Sequence, residues 1–284
     1  MKHTVIIIAT LFMVITSHAI TRRALIIGIG SYPDESGWKQ INGDKDIPLV
    51  KEILTINGFS TQNIVELKNE QATCAAICRE LDNLITKSQT GDYVYIHFSG
   101  HGQQITDLNG DEEDGYDESW IPYDAKQSYV KGSYEGQNHL IDDQLNHYLH
   151  SLRQRVGVEG KIIVIADACH SGGGSRADEE GTEEYIIRGT TNKFEIPSPK
   201  KVKLVTLFPI EWTMLSACMD IQSNHEYKGN GSLTYALYLL HANFSTISAE
   251  QIRDEVEICF GKILRRSQTP ILEITSGKER DIFL

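Results

Sequence analysis

Residues 161–175 read KIIVIADACHSGGGS, and they combine an apolar run with a cysteine and a row of glycines. The apolar run at 162–166 is short and continuous, which predicts a strand buried in the core of a sheet. The strand ends at Asp167 and is followed by Cys169, His170 and three consecutive glycines from residue 172. The pattern predicts a thiol at the carboxyl end of a buried strand, next to backbone that another chain can approach closely.

Short apolar runs alternate with helix-period patterns on both sides of this stretch. The predicted strands are 24–29, 64–67, 93–98 and 161–166, and the predicted helices are 47–56, 73–86 and 142–155. This alternation predicts an α/β fold, a three-layer sandwich in which a mostly parallel central sheet carries helices on both faces. The part of the chain after residue 202 has too few predicted strands to form a core of its own, so we expect it to extend the same sheet. Its predicted elements are strands at 213–217 and 270–274 and helices at 232–241 and 249–265.

Residues 1–19 are expected to be a secretory signal peptide, which predicts a secreted or periplasmic protein without stable membrane insertion after its removal. Lys2 precedes an apolar core of about 13 residues, and residues 17–19 (Ser-His-Ala) form a small-x-small cleavage pattern. The core is shorter than the roughly 20 residues of a membrane span. A retained N-terminal anchor is the alternative. Residues 20–284 are predicted to form one domain, with a large segment (20–175), a flexible linker (176–202) and a small segment (203–284).

Composition excludes several classes of function. The chain has 27 Lys and Arg against 39 Asp and Glu, a formal net charge of −12, so nonspecific binding to nucleic acid is not expected. Its 5 cysteines are an odd number, which leaves at least one free thiol in an exported protein and argues against a disulfide framework. No P-loop, Cys-x-x-Cys pair or HExxH motif supports a nucleotide or structural zinc site.

Two predicted strand ends carry unusual chemistry. YVYIHF (93–98) runs into Ser99-Gly100-His101-Gly102, and KIIVIA runs into Asp167-Ala168-Cys169. Right-handed crossovers place both ends at one edge of the sheet, where ligands bind. An imidazole there can take the proton of the thiol, and the N–H groups of Gly102 and Cys169 are placed to hold an oxyanion. The residues alone leave open a packed cysteine beside a turn histidine, and they name no third residue that orients the histidine.

HFSGHG (97–102) and DACHSG (167–172) together resemble the caspase-like cysteine peptidases, and the metacaspase branch most closely. Further matches are RRALIIGIGSY, DLNGDEEDGYDESWIPYD, LIDDQL, SAC followed by DIQSNHE, and GSLTYAL, so the resemblance spans roughly residues 22–284. It implies a caspase-like fold and an endopeptidase that acts on polypeptides through a dyad of Cys169 and His101. No cofactor is required for that chemistry.

The resemblance to metacaspases also implies cleavage after Arg or Lys, through an acidic pocket. Matching by motif assigns the pocket to Asp46, Ser99 and Asp167. Carboxylates near the mouth of the site would pair strongly with a guanidinium. Asp46 departs from the family pattern, since it stands in GDKDIPLVKEIL where the family has Asn-Asp-Ala. The alternatives are a helix-start charge for Asp46 and a turn residue for Asp167.

Many metacaspases bind activating calcium, and the resemblance maps the ligands to Asp117, Asp142 and Asp143. The fourth ligand has no clear match, because Asp178 lies later than the family spacing. An EF-hand over 107–118 is rejected, because its sixth position is Glu112 where that loop requires glycine. The alternative is a set of solvated loop charges.

The linker after the cysteine carries basic residues that such a pocket would accept. The candidates for self-cleavage are Arg176, Arg188, Lys193 and Lys201; ordinary surface charges are the alternative. We therefore predict a secreted cysteine endopeptidase that cleaves after Arg or Lys, with calcium stimulation and self-processing as further expectations. Two rival hypotheses are a transpeptidase or ligase that uses the same dyad, and a catalytically degenerate calcium-dependent binding module.

Overall fold

The computed structural model describes residues 19–169, 186–197, 208–219, 222–241, 244–265, 268–275 and 282–284. The predicted signal peptide lies outside these residues except for Ala19, and so does more than half of the predicted linker. The central element is a sheet of six strands in the order β11-β8-β7-β3-β1-β2. Its strands are β1 (Arg22–Gly28), β2 (Ile64–Lys68), β3 (Tyr93–Ser99), β7 (Lys161–Asp167), β8 (Thr213–Ser216) and β11 (Ile271–Ile274).

The neighbouring strands of this sheet are parallel, except that β11 runs antiparallel to β8. This confirms the predicted mostly parallel sheet. Since β8 and β11 come from the last third of the chain, the expectation that this part extends the first sheet is also confirmed.

Helices cover both faces of the sheet, as the alternation of the sequence predicts. The helices are α1 (Asp46–Ile56), α2 (Cys74–Lys87), α3 (Asp142–Val156), α4 (Ser232–Leu240) and α5 (Ala249–Cys259). The predicted helix at 249–265 is shorter in its α-helical part, because a π-helical turn follows at Phe260–Leu264. In the part of the chain that the structure describes, none of the helices is long and apolar enough to cross a membrane.

Successive residues of β1 point to opposite faces of the sheet and enter separate cores. Leu25 and Ile27 pack in the core that contains residues of α2 and α3, such as Ile77. Ala24 and Ile26 pack in the core on the other face, with residues of α1, α4 and α5. Each fully buried aliphatic side chain of this kind contributes roughly 1.5–3 kcal/mol to folding. The two cores fix β1, β3 and β7 and hold their carboxyl ends in place.

Two small β-structures at the carboxyl edge of the sheet are not predicted by the sequence. One is an antiparallel sheet with the order β4-β5-β6, and the other is the hairpin β9-β10. Their strands are β4 (Gly102–Thr106), β5 (Tyr116–Trp120), β6 (Leu140–Ile141), β9 (Glu226–Tyr227) and β10 (Asn230–Gly231). These strands are short and rich in polar residues, so apolar periodicity does not reveal them.

The register of the central sheet aligns the carboxyl ends of β1, β3 and β7. Gly28 pairs with Ser99, and Ser99 pairs with Asp167. The residues that follow β3 and β7 therefore emerge side by side at the same edge, where α/β sheets bind ligands.

Candidate active site

Cys169 lies two residues beyond β7 and is fully buried. Its backbone N–H donates to the carbonyl oxygen of Arg188 at 2.8 Å, and its Sγ lies 2.8 Å from the carbonyl oxygen of Gln222. A Cβ added at Gly189 would stand 2.4 Å from the Cys169 carbonyl oxygen and 3.0 Å from its Cβ. The Arg188–Gly189 peptide therefore lies directly against the cysteine, and only glycine fits at position 189.

His101 lies two residues beyond β3 and is held between aromatic rings and a carbonyl group. Its ring stacks on Trp38 with centroids 4.8 Å apart and contacts Tyr32 at 5.1 Å. Its Nε2 is 2.9 Å from the carbonyl oxygen of Lys39, so Nε2 carries the proton in the neutral ring. The Nδ1 atom is buried and makes no hydrogen bond within the described residues. The Lys39 carbonyl is the orienting group that the sequence could not name.

The protonation state of His101 suits a base. Burial lowers the pKa of His101 to about 4, and the Lys39 carbonyl opposes this shift. The ring is therefore neutral at neutral pH and its Nδ1 lone pair is free, but with this pKa it is a weaker base than an ordinary imidazole.

The predicted pocket residues meet around one guanidinium, that of the fully buried Arg188. Its Nη1 lies 2.7 Å from Asp46 Oδ2, 2.5 Å from Ser99 Oγ and 3.7 Å from Asp167 Oδ1. The Ser99 hydroxyl also donates to Asp46. Burial raises the pKa of the Asp46 carboxyl, and the Arg188 guanidinium acts in the opposite direction.

The last third of the chain holds the two pocket aspartates in place. Asp167 Oδ2 accepts the backbone N–H and the hydroxyl of Thr234 in the first turn of α4, at 2.7 and 2.6 Å. Its Oδ1 accepts Nδ2 of Asn224 at 2.7 Å. Asp46 Oδ1 accepts the backbone N–H of Gly231 at 3.0 Å. The carboxylates are therefore fixed by hydrogen bonds that do not involve the guanidinium.

A third carboxylate, that of Glu226, faces the pocket from β9. Its Oε1 lies 3.2 Å from Nε of Arg188 and 3.1 Å from Nη2. Sequence reasoning missed this residue, because the only signal is an acidic residue in the segment SNHE (223–226), and the motifs assign it no role.

The segment 186–197 crosses the site as an extended peptide. Before the Arg188–Gly189 bond, Ile187 forms an antiparallel bridge with His225, and the Arg188 N–H donates to the Asn224 carbonyl at 3.0 Å. These are backbone contacts of the kind that add a strand to an exposed edge, so they do not depend on the side chains of the segment.

Beyond the bond, the same segment pairs with β4. Gly189 forms a parallel bridge with Gly102, the predicted oxyanion residue, which therefore lies beside the Arg188–Gly189 bond. Further along, the Phe194 N–H donates to the Gln104 carbonyl at 2.7 Å, and Thr106 N–H donates to the Phe194 carbonyl at 3.0 Å. Of the two predicted oxyanion donors, the Cys169 N–H is aimed at the carbonyl oxygen of Arg188.

Of the predicted self-cleavage residues that the structure describes, one lies in the acidic pocket and one lies outside it. Arg188 fills the pocket, whereas Lys193 lies outside it, with Nζ 3.6 Å from Asp114 Oδ2 and 3.5 Å from the centre of the Tyr116 ring. The remaining two candidates, Arg176 and Lys201, lie outside the described residues.

The predicted calcium ligands are divided between two groups of acidic side chains. The groups are Asp107, Asp111 and Asp117, and Glu112, Glu118 and Asp142; the ligand atoms within each lie within 4.8 Å of one another. Asp143 belongs to neither group and accepts Nδ2 of Asn109 at 2.6 Å. The predicted set of Asp117, Asp142 and Asp143 is therefore not one of these two groups, although the charges of Asp117 and Asp143 both raise the pKa of Asp142. A shared site for the three remains a prediction.

The carboxyl groups of each set are partly buried and lie close to one another. Burial, reinforced by neighbouring carboxylates, raises the pKa of Asp117 to about 7 and that of Asp142 to about 8. Both carboxylate oxygens of Asp111 are buried and have no hydrogen-bond partner within the described residues. Crowded oxygen ligands of this kind fit a divalent cation such as calcium.

The substitution Gly231→Ala tests whether the Arg188 guanidinium holds segment 186–197 in the site. A Cβ at this position would stand 2.1 Å from Asp167 Oδ2 and 2.4 Å from Arg188 Nη1, so Gly231→Ala is expected to expel the Arg188 side chain. In a Cys169→Ala chain, we expect amide hydrogen exchange of 186–196 to accelerate at least about tenfold, which corresponds to about 1.4 kcal/mol of lost protection. Gly261→Ala, where an added Cβ meets nothing within 4 Å, is the control. Unchanged protection in Gly231→Ala would contradict this account of the pocket.

Comparisons with known proteins agree with the fold and the site motifs. The model of the metacaspase, peptidase C14 domain family matches residues 22–175. Metacaspase-1A of Aspergillus fumigatus is 36% identical over 159 residues, which cover 53% of this chain and 35% of that protein. Metacaspase-1A of Aspergillus oryzae is 35% identical over 160 residues, which cover 54% and 35%. The alignments thus span about a third of the length of these curated relatives.

A solved structure extends the likeness of the fold over nearly the whole chain. The crystal structure of protein GSU0716 from Geobacter sulfurreducens has a TM-score of 0.65 and 21% sequence identity, and the match covers 93% of this chain and 99% of that one. At this identity the likeness concerns the fold alone. Because the family model matches more than half of the sequence, the chain belongs to the metacaspase family of C14 peptidase domains.

Proposed function

We propose that this protein is a cysteine endopeptidase that cleaves peptide bonds after arginine or lysine, with Cys169 as the nucleophile and His101 as the proton carrier. The observation that carries the proposal is the position of Arg188. Its side chain fills the acidic pocket while its carbonyl oxygen accepts the Cys169 N–H. A polypeptide substrate with a basic residue before the cleaved bond would bind in the same way.

The chemistry follows from the groups at the site. The Cys169 thiol gives its proton to Nδ1 of His101, and the sulfur attacks the carbonyl carbon of the basic residue. The Cys169 N–H stabilises the oxygen as it becomes negative, and Gly102 lies beside the same bond. His101 then gives its proton to the departing amine, which leaves an acyl group on the sulfur. Water, deprotonated by His101, hydrolyses this thioester and restores the thiol.

Self-processing is part of the proposal. The Arg188–Gly189 bond of the chain itself stands where the bond of a substrate would stand, so the first turnover is a cut in the linker. Until that cut, segment 186–197 keeps other polypeptides out of the site. Secretion remains a prediction from residues 1–19, which lie outside the described residues except Ala19.

The proposal predicts a single internal cut that depends on Arg188. The unmodified chain should be cut between Arg188 and Gly189, whereas Arg188→Gln should remain whole at that bond, because the neutral amide cannot pair with Asp46 and Asp167. Lys193→Gln is the matched control, since Lys193 lies in the same segment but outside the pocket. Intact-mass spectrometry identifies the cut, and Cys169→Ala should show none.

Peptide hydrolysis tests the activity in trans. Fluorogenic peptides ending in Arg or Lys should be hydrolysed and those ending in Asp should not, and Cys169→Ala should lower the rate by more than about a thousandfold. Cleavage after Asp alone would contradict the pocket assignment. Transfer of the acyl group to an added amine in place of water would support the transpeptidase hypothesis. A chain that neither cuts itself nor hydrolyses any of these peptides would support the binding module.

The acidic groups support calcium as a regulator. Asp107, Asp111 and Asp117 would hold the ion, or Glu112, Glu118 and Asp142 would do so. Both groups lie in β5, in the segment between β4 and β5, or at the start of α3, and β4 contacts the segment that contains the cleaved bond. An ion bound there would neutralise like charges next to that segment.

Calcium binding can be measured on the Cys169→Ala chain by titration calorimetry. The raised pKa values of Asp117 and Asp142 mean that both are partly protonated at pH 7, so calcium should displace protons and bind more tightly at pH 8 than at pH 6. Asp117→Asn and Asp142→Asn should each be compared with Asp254→Asn on the exposed surface of α5. Absence of binding, or equal affinity in all variants, would contradict a site here.

A further inference from the structure

We propose that Glu226 makes the pocket select arginine over lysine. The inference rests on the proposed cleavage after basic residues and adds a preference within that class. It concerns the one carboxylate of the pocket that the motifs leave without a role.

The three carboxylates of the pocket face two different edges of the Arg188 guanidinium. Asp46 and Asp167 both face Nη1, at 2.7 and 3.7 Å. Glu226 faces the opposite edge, where its Oε1 lies between Nε and Nη2, at 3.2 and 3.1 Å. The guanidinium is a planar fork that presents donors on both edges at once. Lysine has one ammonium at its tip and no donor at the position of Nε, so it cannot reach both edges in the same way.

Glu226 is held in place independently of the bound side chain. One of its carboxylate oxygens accepts the Asn42 backbone N–H at 2.6 Å, and the other accepts Nδ2 of Asn42. Its side chain is only 4% exposed, and its backbone pairs with Gly231 in the β9-β10 hairpin. The carboxylate therefore cannot easily turn toward the ammonium of a lysine at the other end of the pocket.

A lysine in the pocket would thus pair with the carboxylates on one side and offer no donor to the carboxylate on the other side. Lysine would pair with Asp46 and Asp167 and leave Glu226 buried without the cation that faces it. Because a buried carboxylate without its charge partner is unfavourable, we expect kcat/KM for an Arg peptide to exceed that for a matched Lys peptide by roughly 10–100-fold. Loss of Asp46 or Asp167 would instead lower both rates.

The test compares two fluorogenic peptides that differ only in Arg or Lys before the cut, on the self-processed enzyme. Glu226→Gln should lower kcat/KM for the Arg peptide about tenfold and leave that for the Lys peptide within about threefold, so the ratio falls by the same amount. Glu255→Gln, on the exposed surface of α5, is the control and should leave both values unchanged.

If Glu226→Gln does not fold, the role of Glu226 can still be tested with Asn42→Ala and with small cationic inhibitors. Asn42→Ala removes one of the two hydrogen bonds that fix the carboxylate and should lower the Arg-to-Lys ratio without removing the charge. Inhibition by agmatine, which carries a guanidinium group, should weaken in both variants more than inhibition by cadaverine, whose only cations are ammonium groups. An unchanged ratio, or an equal loss for both peptides, would overturn the role of Glu226. Failure of the wild-type enzyme to cleave either peptide would overturn the proposed function itself.

Discussion

The ion cluster around Arg188 is the interaction on which the site depends. It joins a helix start, two strand ends and a hairpin that are far apart in sequence, through Asp46, Ser99, Asp167 and Glu226. Carboxylates so close together in a buried place repel one another, and their burial is unfavourable unless a cation is present. The pocket is therefore complementary to a cation. In this structure the cation is the Arg188 guanidinium, which comes from the linker of the same chain.

The contacts of Arg188 and its neighbours also explain why the site is formed but occupied by a segment of its own chain. Segment 186–197 is bound on both sides of its Arg188–Gly189 bond, by residues 224–225 on one side and by β4 on the other. These contacts do not depend on the identity of most side chains in the segment. Under the proposed function, a polypeptide with a basic residue would replace this segment, and the Arg188–Gly189 bond, which blocks access to other substrates, would be the first bond cut.

Much of the fold and part of the site could be predicted from the sequence, because both depend on local patterns. The apolar runs predict the strands, and parallel strands place their ends at one edge, so the segments that carry His101 and Cys169 could be predicted to leave the sheet side by side. The carbonyl of Lys39 and the carboxylate of Glu226 could not be predicted, because their roles depend on where a loop and a hairpin pack in the folded chain. The polar strands of the β4-β5-β6 sheet were missed because they lack apolar periodicity. The division of the acidic residues into two groups depends on the same small sheet.

In the proposed function, Cys169 is a nucleophile and the adjacent pocket binds basic side chains. The most direct test is to treat the self-processed protein with a peptide chloromethyl ketone ending in arginine, and to locate the adduct by peptide mass spectrometry. We expect a single adduct on Cys169, absent with the matched reagent ending in aspartate and suppressed by excess agmatine. Modification of another cysteine, or equal labelling by the aspartate reagent, would contradict it.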